Sequence, residues 1–377
     1  MELLYPVASF PKQAQALRAE VRAFLAEHTF DQVTEGQVTE GFSPQLSRAL
    51  GERGWLGVTW PRSYGGREWG LLERFVITEE LVAAGAPVWA HFIAERQSGP
   101  LLLRFGTEEQ RSTFLPSIAR GECYFAIGMS EPDAGSDLAA VRTRAIKVDG
   151  GWLLNGRKIW NSFTHLCHAM IALVRTAPPD EQDRHAGLGQ MIVELRTTKG
   201  VHIKPIINLA GRHHFNETIF EDAFIPDARV VGEIGNGWQQ VTSELAHERS
   251  GPERFLGVFP LLRKLLARCE PEAHADLGRL VAHLFVLRRM SASIAGQWQQ
   301  GATPAIEAAL VKDLATIYAK EVADVARLAA SVELDPESDD PYTRLLAHTV
   351  LHAPSFTLAG GTTEVLRGMI ARGLGLR

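Results

Sequence analysis

The sequence is poor in cysteine. It has three, Cys123, Cys167 and Cys269, in 377 residues, and no two are spaced as CxxC. So sparse and odd a set excludes a disulfide framework and suits a reducing compartment, so a cytoplasmic protein is expected. There is no excess of positive charge either. With 39 Lys and Arg against 44 Asp and Glu, the formal net charge is -5, which argues against nucleic acid or an anionic membrane as the main partner. No apolar run reaches the length of a membrane span. The opening MELLYPVASF lacks a basic region and carries Pro6, so neither a signal nor a transit peptide is expected. A dinucleotide-type glycine loop is also missing: Gly232–Gly237 is glycine-rich but does not join a strand to a helix at the required spacing, and reads as a domain junction. The one His/Cys cluster, His165-Leu166-Cys167-His168, stands where a strand begins. Its two histidines are three residues apart and diverge, so no metal site is expected.

What is present divides into three textures. The length suggests two or three domains. Residues 1–121 read as helical. Ser43-Pro44 is an N-cap with a first-turn proline, Leu71–Ala84 and Trp89–Phe105 carry helical periodicity, and Thr107-Glu108-Glu109-Gln110 is a capping box. From about 122 to 231 short apolar strands alternate with turns. Asp149-Gly150-Gly151 and Asn155-Gly156 read as hairpin turns, so an antiparallel β-domain is expected. From Trp238 onward long helical periods return, with Pro252 forcing a kink or a new start, and a bundle is expected over 232–377.

The chemistry-bearing stretch is Gly128–Asp137, GMSEPDAGSD. Gly and Pro keep it from being a regular element, Ser130 and Ser136 offer hydroxyls, and Gly135 permits close approach to the backbone. Taken alone it is a polar surface turn. Its company changes that reading. Leu103–Gln110 with Phe114-Leu115-Pro116 and Gly121-Glu122 precedes it, and Asn155-Gly156-Arg157-Lys158-Ile159-Trp160-Asn161-Ser162 follows. In these three places, over nearly the whole chain from about Gly51, the sequence resembles the flavin-dependent acyl-CoA dehydrogenase family.

The resemblance implies an α+β fold: an N-terminal helical domain (1–121), a middle antiparallel β-barrel (122–231) and a C-terminal four-helix bundle (232–377). It implies FAD as cofactor. A flavin needs hydrogen-bond donors along the edge where charge develops on reduction; by resemblance the Ile127–Ser130 backbone, including Met129, and the Ser130 hydroxyl supply them. Ser162 matches the residue that contacts flavin N5, and Trp160 an aromatic packed beside the ring. Ser136 matches a residue at the mouth of the acyl-CoA tunnel, and Thr362 and Glu364 match cofactor-contacting positions. The implied partners are an acyl-CoA substrate, an electron-transfer flavoprotein and further subunits, as a homodimer, a homotetramer or an α2β2 assembly with a paralogous chain.

The family reaction needs a carboxylate base against the substrate α-carbon. In many members it lies near the C-terminus, where this chain has Gly360 in Leu358-Ala359-Gly360-Gly361-Thr362-Thr363-Glu364. A minority place a Glu before an Arg on the first bundle helix, which Glu248-Arg249 matches. On its own a Glu-Arg pair is a salt-bridged helix end; beside the flavin motifs, Glu248 is the expected base and Arg249 its support. Two family runs that hold the ADP half of FAD across a subunit boundary are replaced here by Leu266-Ala267-Arg268-Cys269-Glu270-Pro271 and Ala326-Arg327-Leu328-Ala329-Ala330-Ser331. The Glu-Arg-Ser-Gly-Pro-Glu-Arg run with the Gly-Gly-Thr-Thr-Glu tail looks most like a branch that includes sterol side-chain dehydrogenases, some of them mixed tetramers. A dehydrogenase is expected; a half-site subunit and a flavin monooxygenase or oxidase on the same fold stand as alternatives.

Overall fold

The computed structural model describes residues 3–28, 41–178, 182–268, 274–329 and 332–376. The chain forms two compact units. One comprises Met1–Leu46, Glu68–Trp89 and Glu248–Arg377, the other Ser47–Arg67 and Ala90–His247.

The first unit is helical. Before the sheet region it holds α1 (Ala14–Glu27), the start of α2 (Pro44–Glu52) and α3 (Leu71–Ala84). The Ser43 hydroxyl accepts from the Leu46 N–H at 3.1 Å, the N-cap that the Ser-Pro pair predicts. Helix α3 stops where Gly85 takes φ 84°, a left-handed cap that suits glycine. No residue of α3 is fully exposed. Glu73, Glu79 and Glu80 are buried with its apolar residues, because Arg18 and Arg22 of α1 and Arg288 pair with Glu79 and Glu80. Buried carboxylates persist when paired.

The second unit holds α4 (Trp89–Ile93, entering at Ala90), α5 (Gly99–Phe105), α6 (Glu108–Ala119) and the sheet. The helix expected over Trp89–Phe105 is interrupted by a π-helical turn, Ala94–Ser98. The Thr107 side chain accepts from the Gln110 N–H and the Gln110 side chain from the Thr107 N–H, completing the capping box. Then come β1 (Phe125–Gly128), β2 (Arg144–Val148), β3 (Gly151–Ser162), β4 (Ala169–Arg175), β5 (Leu188–Glu194), β6 (Val201–Ile207), β7 (His213–Pro226), β8 (Val230–Val231) and α7 (Gly237–Glu248).

The strand order is β6-β7-β3-β2-β4-β5-β8, with β1 beside β4. Two expectations are corrected here. The sheet is open, not a closed barrel, because β6 and β8 lie at opposite ends of the order. It is also mixed, since β1 and β2 run parallel to β4. A third correction concerns Asn155-Gly156, which is no hairpin turn. The chain runs through it as one strand, and β3 slips register against β7 between Leu154 and Gly156. Gly156 has φ 145°, and a Cβ there would stand 2.7 Å from the Thr143 Cα. Glycine is therefore required by a bulge and not by a turn. The core beneath the sheet joins Trp60, Leu102, Phe114, Leu115 and Ile118 to Phe125, Ile171 and Ile192.

After α7 the first unit resumes with α8 (Glu253–Leu256), α9 (Phe259–Leu266), α10 (His274–Gln299), α11 (Ala305–Ala329), α12 (Pro341–His352) and α13 (Thr363–Gly373). Pro252 does give a new start, at Glu253. Helix α10 packs on α11 and on α3, and α11 packs on α9, α12 and α13, so the C-terminal helices share their unit with α1 and α3. No described helix is long and apolar enough to cross a membrane.

Candidate functional site

Strand β1 ends at Gly128, where a Cβ would stand 2.5 Å from the Met170 Sδ and 3.3 Å from the Lys158 Cγ. The chain then turns tightly, with Glu131 and Ala134 exchanging backbone hydrogen bonds of 2.9 and 3.1 Å. The turn is anchored inward. The Glu131 carboxylate accepts from the Arg142 N–H at 2.6 Å, the Thr143 N–H at 2.8 Å and the Lys158 ammonium at 2.7 Å. Lys158 is fully buried and also donates to the Met129 carbonyl at 3.1 Å. Met129 packs with Val141, Leu173, Leu188 and Val241 of α7, and the Ser130 carbonyl accepts from the Ile159 N–H at 2.9 Å. Gly128–Asp137 is thus a loop tied to the middle of β3 by a buried ion pair.

Burial pushes the Lys158 ammonium down to about 8, against the attraction of Glu131. Burial alone would raise the Glu131 carboxyl. The Lys158 charge and the hydrogen bonds from Lys158, Thr143 and the Arg142 N–H outweigh it, and the carboxyl sits below its ordinary range. Both groups are therefore charged at neutral pH.

The far end of β3 is strained. Trp160 and Phe163 adopt φ 61° and 49°, which costs about 1–3 kcal/mol for each such residue. The register slips again between Lys158 and Asn161. Strand alternation would place Trp160 on the inner face with Leu154 and Lys158. The left-handed backbone reverses this, so Asn161 is buried and the Trp160 side chain is 57% exposed. The Trp160 ring stands edge-on to Phe215, 5.8 Å between centroids. Asn161 Nδ2 donates to the Ile127 carbonyl at 3.0 Å, Asn216 Nδ2 donates to the Asn161 carbonyl at 2.9 Å, and the Ser162 hydroxyl meets His214 Nε2 at 3.1 Å.

The structure therefore brings Ile127, Met129, Ser130, Trp160 and Ser162 together within one unit. Ser136 belongs to the same loop but is exposed at its outer end, where its neighbour Asp137 pairs with Arg184 at 2.6 Å. Thr362 and Glu364 belong to the other unit. There Thr362 caps α13, accepting from the Val365 N–H at 3.3 Å. Glu364 is exposed in the first turn, its carboxyl lowered by its own backbone N–H and the Thr362 hydroxyl. Gly360 and Gly361 both take left-handed backbone, φ 71° and 100°, so the glycines just before that cap are set by conformation. Glu248 is the last residue of α7; its side chain lies outside the described residues. Arg249 is buried. Of the two replaced runs, residues 269–271 and 330–331 also lie outside the described residues. His165 and His168 face different partners, Asn216 and the Tyr124 N–H, and no metal-binding cluster occurs among the described residues.

Sequence reasoning missed Glu131, Lys158, Asn161, His214 and Asn216. Strand parity offered a signal for one of them. A lysine four residues after Leu154 in a continuous strand faces inward and needs a buried acid, and Glu131 stands in the neighbouring motif.

The group these residues suit is planar, aromatic and edged with hydrogen-bonding atoms. Trp160 exposes an apolar ring at a strained position. Ser130, whose carbonyl accepts from the Ile159 N–H, and Ser162 lie close by in the chain with hydroxyls, and Asn161 Oδ1 is buried without a hydrogen-bond partner. A flavin ring fits that donor and acceptor set.

Comparison with known proteins agrees with this fit. The N-terminal, middle and C-terminal domain families of acyl-CoA dehydrogenases match residues 11–122, 126–223 and 236–375. The chain is 30% identical to acyl-CoA dehydrogenase FadE26 of Mycobacterium tuberculosis, over 97% of this chain and 98% of that one. Its fold is similar to the Tcur3481-Tcur3483 steroid ACAD, with TM-score 0.88 and 28% identity over the full length of both chains. It is also similar to the ChsE4-ChsE5 complex from M. tuberculosis, with TM-score 0.82 and 29% identity over 98% of this chain and 99% of that one. The three domain matches define an oxidoreductase of a family of flavoproteins. This chain belongs to the acyl-CoA dehydrogenase family, on the branch that includes the steroid enzymes.

Proposed function

We propose that this protein is an FAD-dependent acyl-CoA dehydrogenase that converts a saturated acyl-CoA thioester to the trans-2-enoyl-CoA. The observation that carries the reading is the cradle itself: a loop fixed by the buried Lys158–Glu131 pair facing a strained strand end that bears Trp160 and Ser162. The Ile127–Ser130 backbone and the Ser130 hydroxyl hold one edge of the flavin, and Ser162 and Trp160 hold its reacting side. FAD, when bound, supplies the acceptor for the β-hydride. Glu248 removes the α-proton, with Arg249 beside it in sequence to support its charge. Assignment of the base to α7 rests on the sequence, since Gly360 cannot take a proton. By resemblance Ser136 contacts the thioester, and Thr362 and Glu364 contact the cofactor. The division into domains at 121 and 231, a cytoplasmic setting and delivery of electrons to an electron-transfer flavoprotein complete the reading.

Similarity to a steroid ACAD and to a two-chain ChsE complex favours a branched or steroidal acyl group and a mixed assembly with a paralogous chain. The second reading, a half-site subunit, draws on Gly360 and the two replaced ADP-side runs. One experiment separates the readings. Purified protein, alone and with a candidate paralogue, is titrated anaerobically with straight-chain, branched and steroidal acyl-CoAs. The dehydrogenase is yellow and bleaches with at least one branched or steroidal substrate, forming enoyl-CoA. A chain that stays colourless after reconstitution with FAD is the half-site subunit, and one whose reduced flavin reoxidises rapidly in air is an oxidase or monooxygenase.

A further inference from the structure

Three histidines sit behind the strained end of β3, and the proposed chemistry uses none of them. His165 and His213 are stacked, 3.8 Å apart and 13° from parallel. Both reach the same acceptor, Asn216 Oδ1, at 3.0 and 2.7 Å. Asn216 spends its amide N–H on the Asn161 carbonyl, so its oxygen must accept, and the two imidazoles donate from Nδ1 and Nε2 respectively. Burial lowers the His165 pKa, with His213 adding to the effect, so that ring is neutral at pH 7.

The third, His214, grips β3 directly. Its carbonyl accepts from the Phe163 N–H at 2.8 Å. Its ring stacks on Phe163, 4.5 Å between centroids, and its Nε2 meets the Ser162 hydroxyl at 3.1 Å. It is 6% exposed. Ser162 therefore lies between two left-handed residues, Trp160 and Phe163, against a buried ring that is itself stacked on Phe163. A serine hydroxyl has one proton and rotates freely unless a neighbour fixes it. In the tautomer that carries its proton on Nε2, His214 donates to Oγ, and the serine proton is left to point away, toward whatever occupies the cradle.

We propose that His214 is a positioning residue: by hydrogen-bonding Ser162 it fixes the direction of the hydroxyl offered to the flavin, and so helps set the ratio of oxidised to reduced flavin at a given potential. This rests on the reading that Ser162 contacts the flavin. A hydrogen bond that favours one redox state by about 1.4 kcal/mol changes that ratio about tenfold, which is ~30 mV for a two-electron couple.

The test measures the flavin midpoint potential and visible spectrum in FAD-loaded wild type, His214→Leu, His214→Gln, Ser162→Ala and Ser162→Ala/His214→Leu, with melting temperature alongside. The expected results are a shift of about tenfold in the redox ratio for His214→Leu, a return toward wild type for His214→Gln, which keeps a donor, and no added shift from His214→Leu once Ser162 is alanine. Should His214→Leu fail to accept FAD, the Gln variant and the Ser162→Ala background carry the comparison. A His214→Leu shift that persists in full beside Ser162→Ala overturns the proposal, as does a wild-type potential in both His214 variants. A Ser162→Ala protein with unchanged potential and spectrum refutes the underlying contact and the proposal with it.

Discussion

Replacing Lys158 by methionine removes an ammonium from the one place where the cradle loop is tied to β3. The change keeps an unbranched side chain of similar length in a fully buried position. Glu131 then keeps its N–H donors from Arg142 and Thr143 but loses the cation 2.7 Å away. Removing one member of a buried pair costs about 3–5 kcal/mol. The two retained N–H bonds put this case near the lower end, and the orphaned Met129 carbonyl adds about 1 kcal/mol. A loss of ~4 kcal/mol lowers the melting temperature of a domain of 150–250 residues by about 8–16 °C. Thermal and urea unfolding of the apoprotein, followed by tryptophan fluorescence, measures it. The double variant Lys158→Met/Glu131→Gln should recover most of the loss, because the neutral amide leaves no unpaired buried charge and keeps an oxygen for the Arg142 and Thr143 N–H groups. A single variant within about 0.5 kcal/mol of wild type, as expected for a surface pair, would refute the internal anchor, and so would a double variant whose losses simply add.

Glu131 gives a pH signature. Its carboxyl lies below the ordinary 4.5 in the fold, so its contribution is complete above that value and is lost as pH falls through the folded one. The stability difference between wild type and Lys158→Met/Glu131→Gln, which removes the coupled ammonium as well, should be flat from about pH 7 to 5 and shrink below it; a difference that grows on acidification contradicts the assignment. Trp160→Gly relieves backbone at φ 61°, offsetting the flexibility glycine adds to the unfolded chain, so the apoprotein should melt within about 2 °C of wild type. Flavin affinity should nevertheless fall about two- to tenfold for want of ring packing, and unchanged affinity with a large melting loss would make Trp160 a core residue. Gly156→Ala forces a Cβ to within 2.7 Å of Thr143 and should cost about 1–3 kcal/mol; a wild-type melting temperature would show that the bulge can rearrange.

The sequence carried the helical segments and the cradle motifs because both are local. Ser43-Pro44 and the Thr107 box announce helix starts through side-chain donors and acceptors a few residues apart, and each cap forms as expected. Long-range pairing is where the reading failed. An Asn-Gly dipeptide has the same composition in a hairpin turn as in a bulge, and only the presence of β7 along the whole of β3 selects the bulge. Closure of a sheet depends on which strands lie at its ends, which alternation does not encode. Lys158 and Glu131 are 27 residues apart, and α3 turns its acids inward only because arginines arrive from α1 and α10. The histidines of β7 meet Ser162 through strand register alone. At the C-terminus Thr362 caps α13 as an acceptor, which leaves its hydroxyl proton to donate to the cofactor contact that the resemblance implies.

On the proposed reading this one chain holds a flavin and carries its own base at Glu248. The direct measurement is anaerobic single-turnover bleaching of bound flavin by a substrate acyl-CoA in Glu248→Gln against wild type. Removal of a general base predicts a rate about 10²- to 10⁴-fold slower, with flavin content and the oxidised spectrum unchanged. Bleaching at the wild-type rate would place the base on another residue.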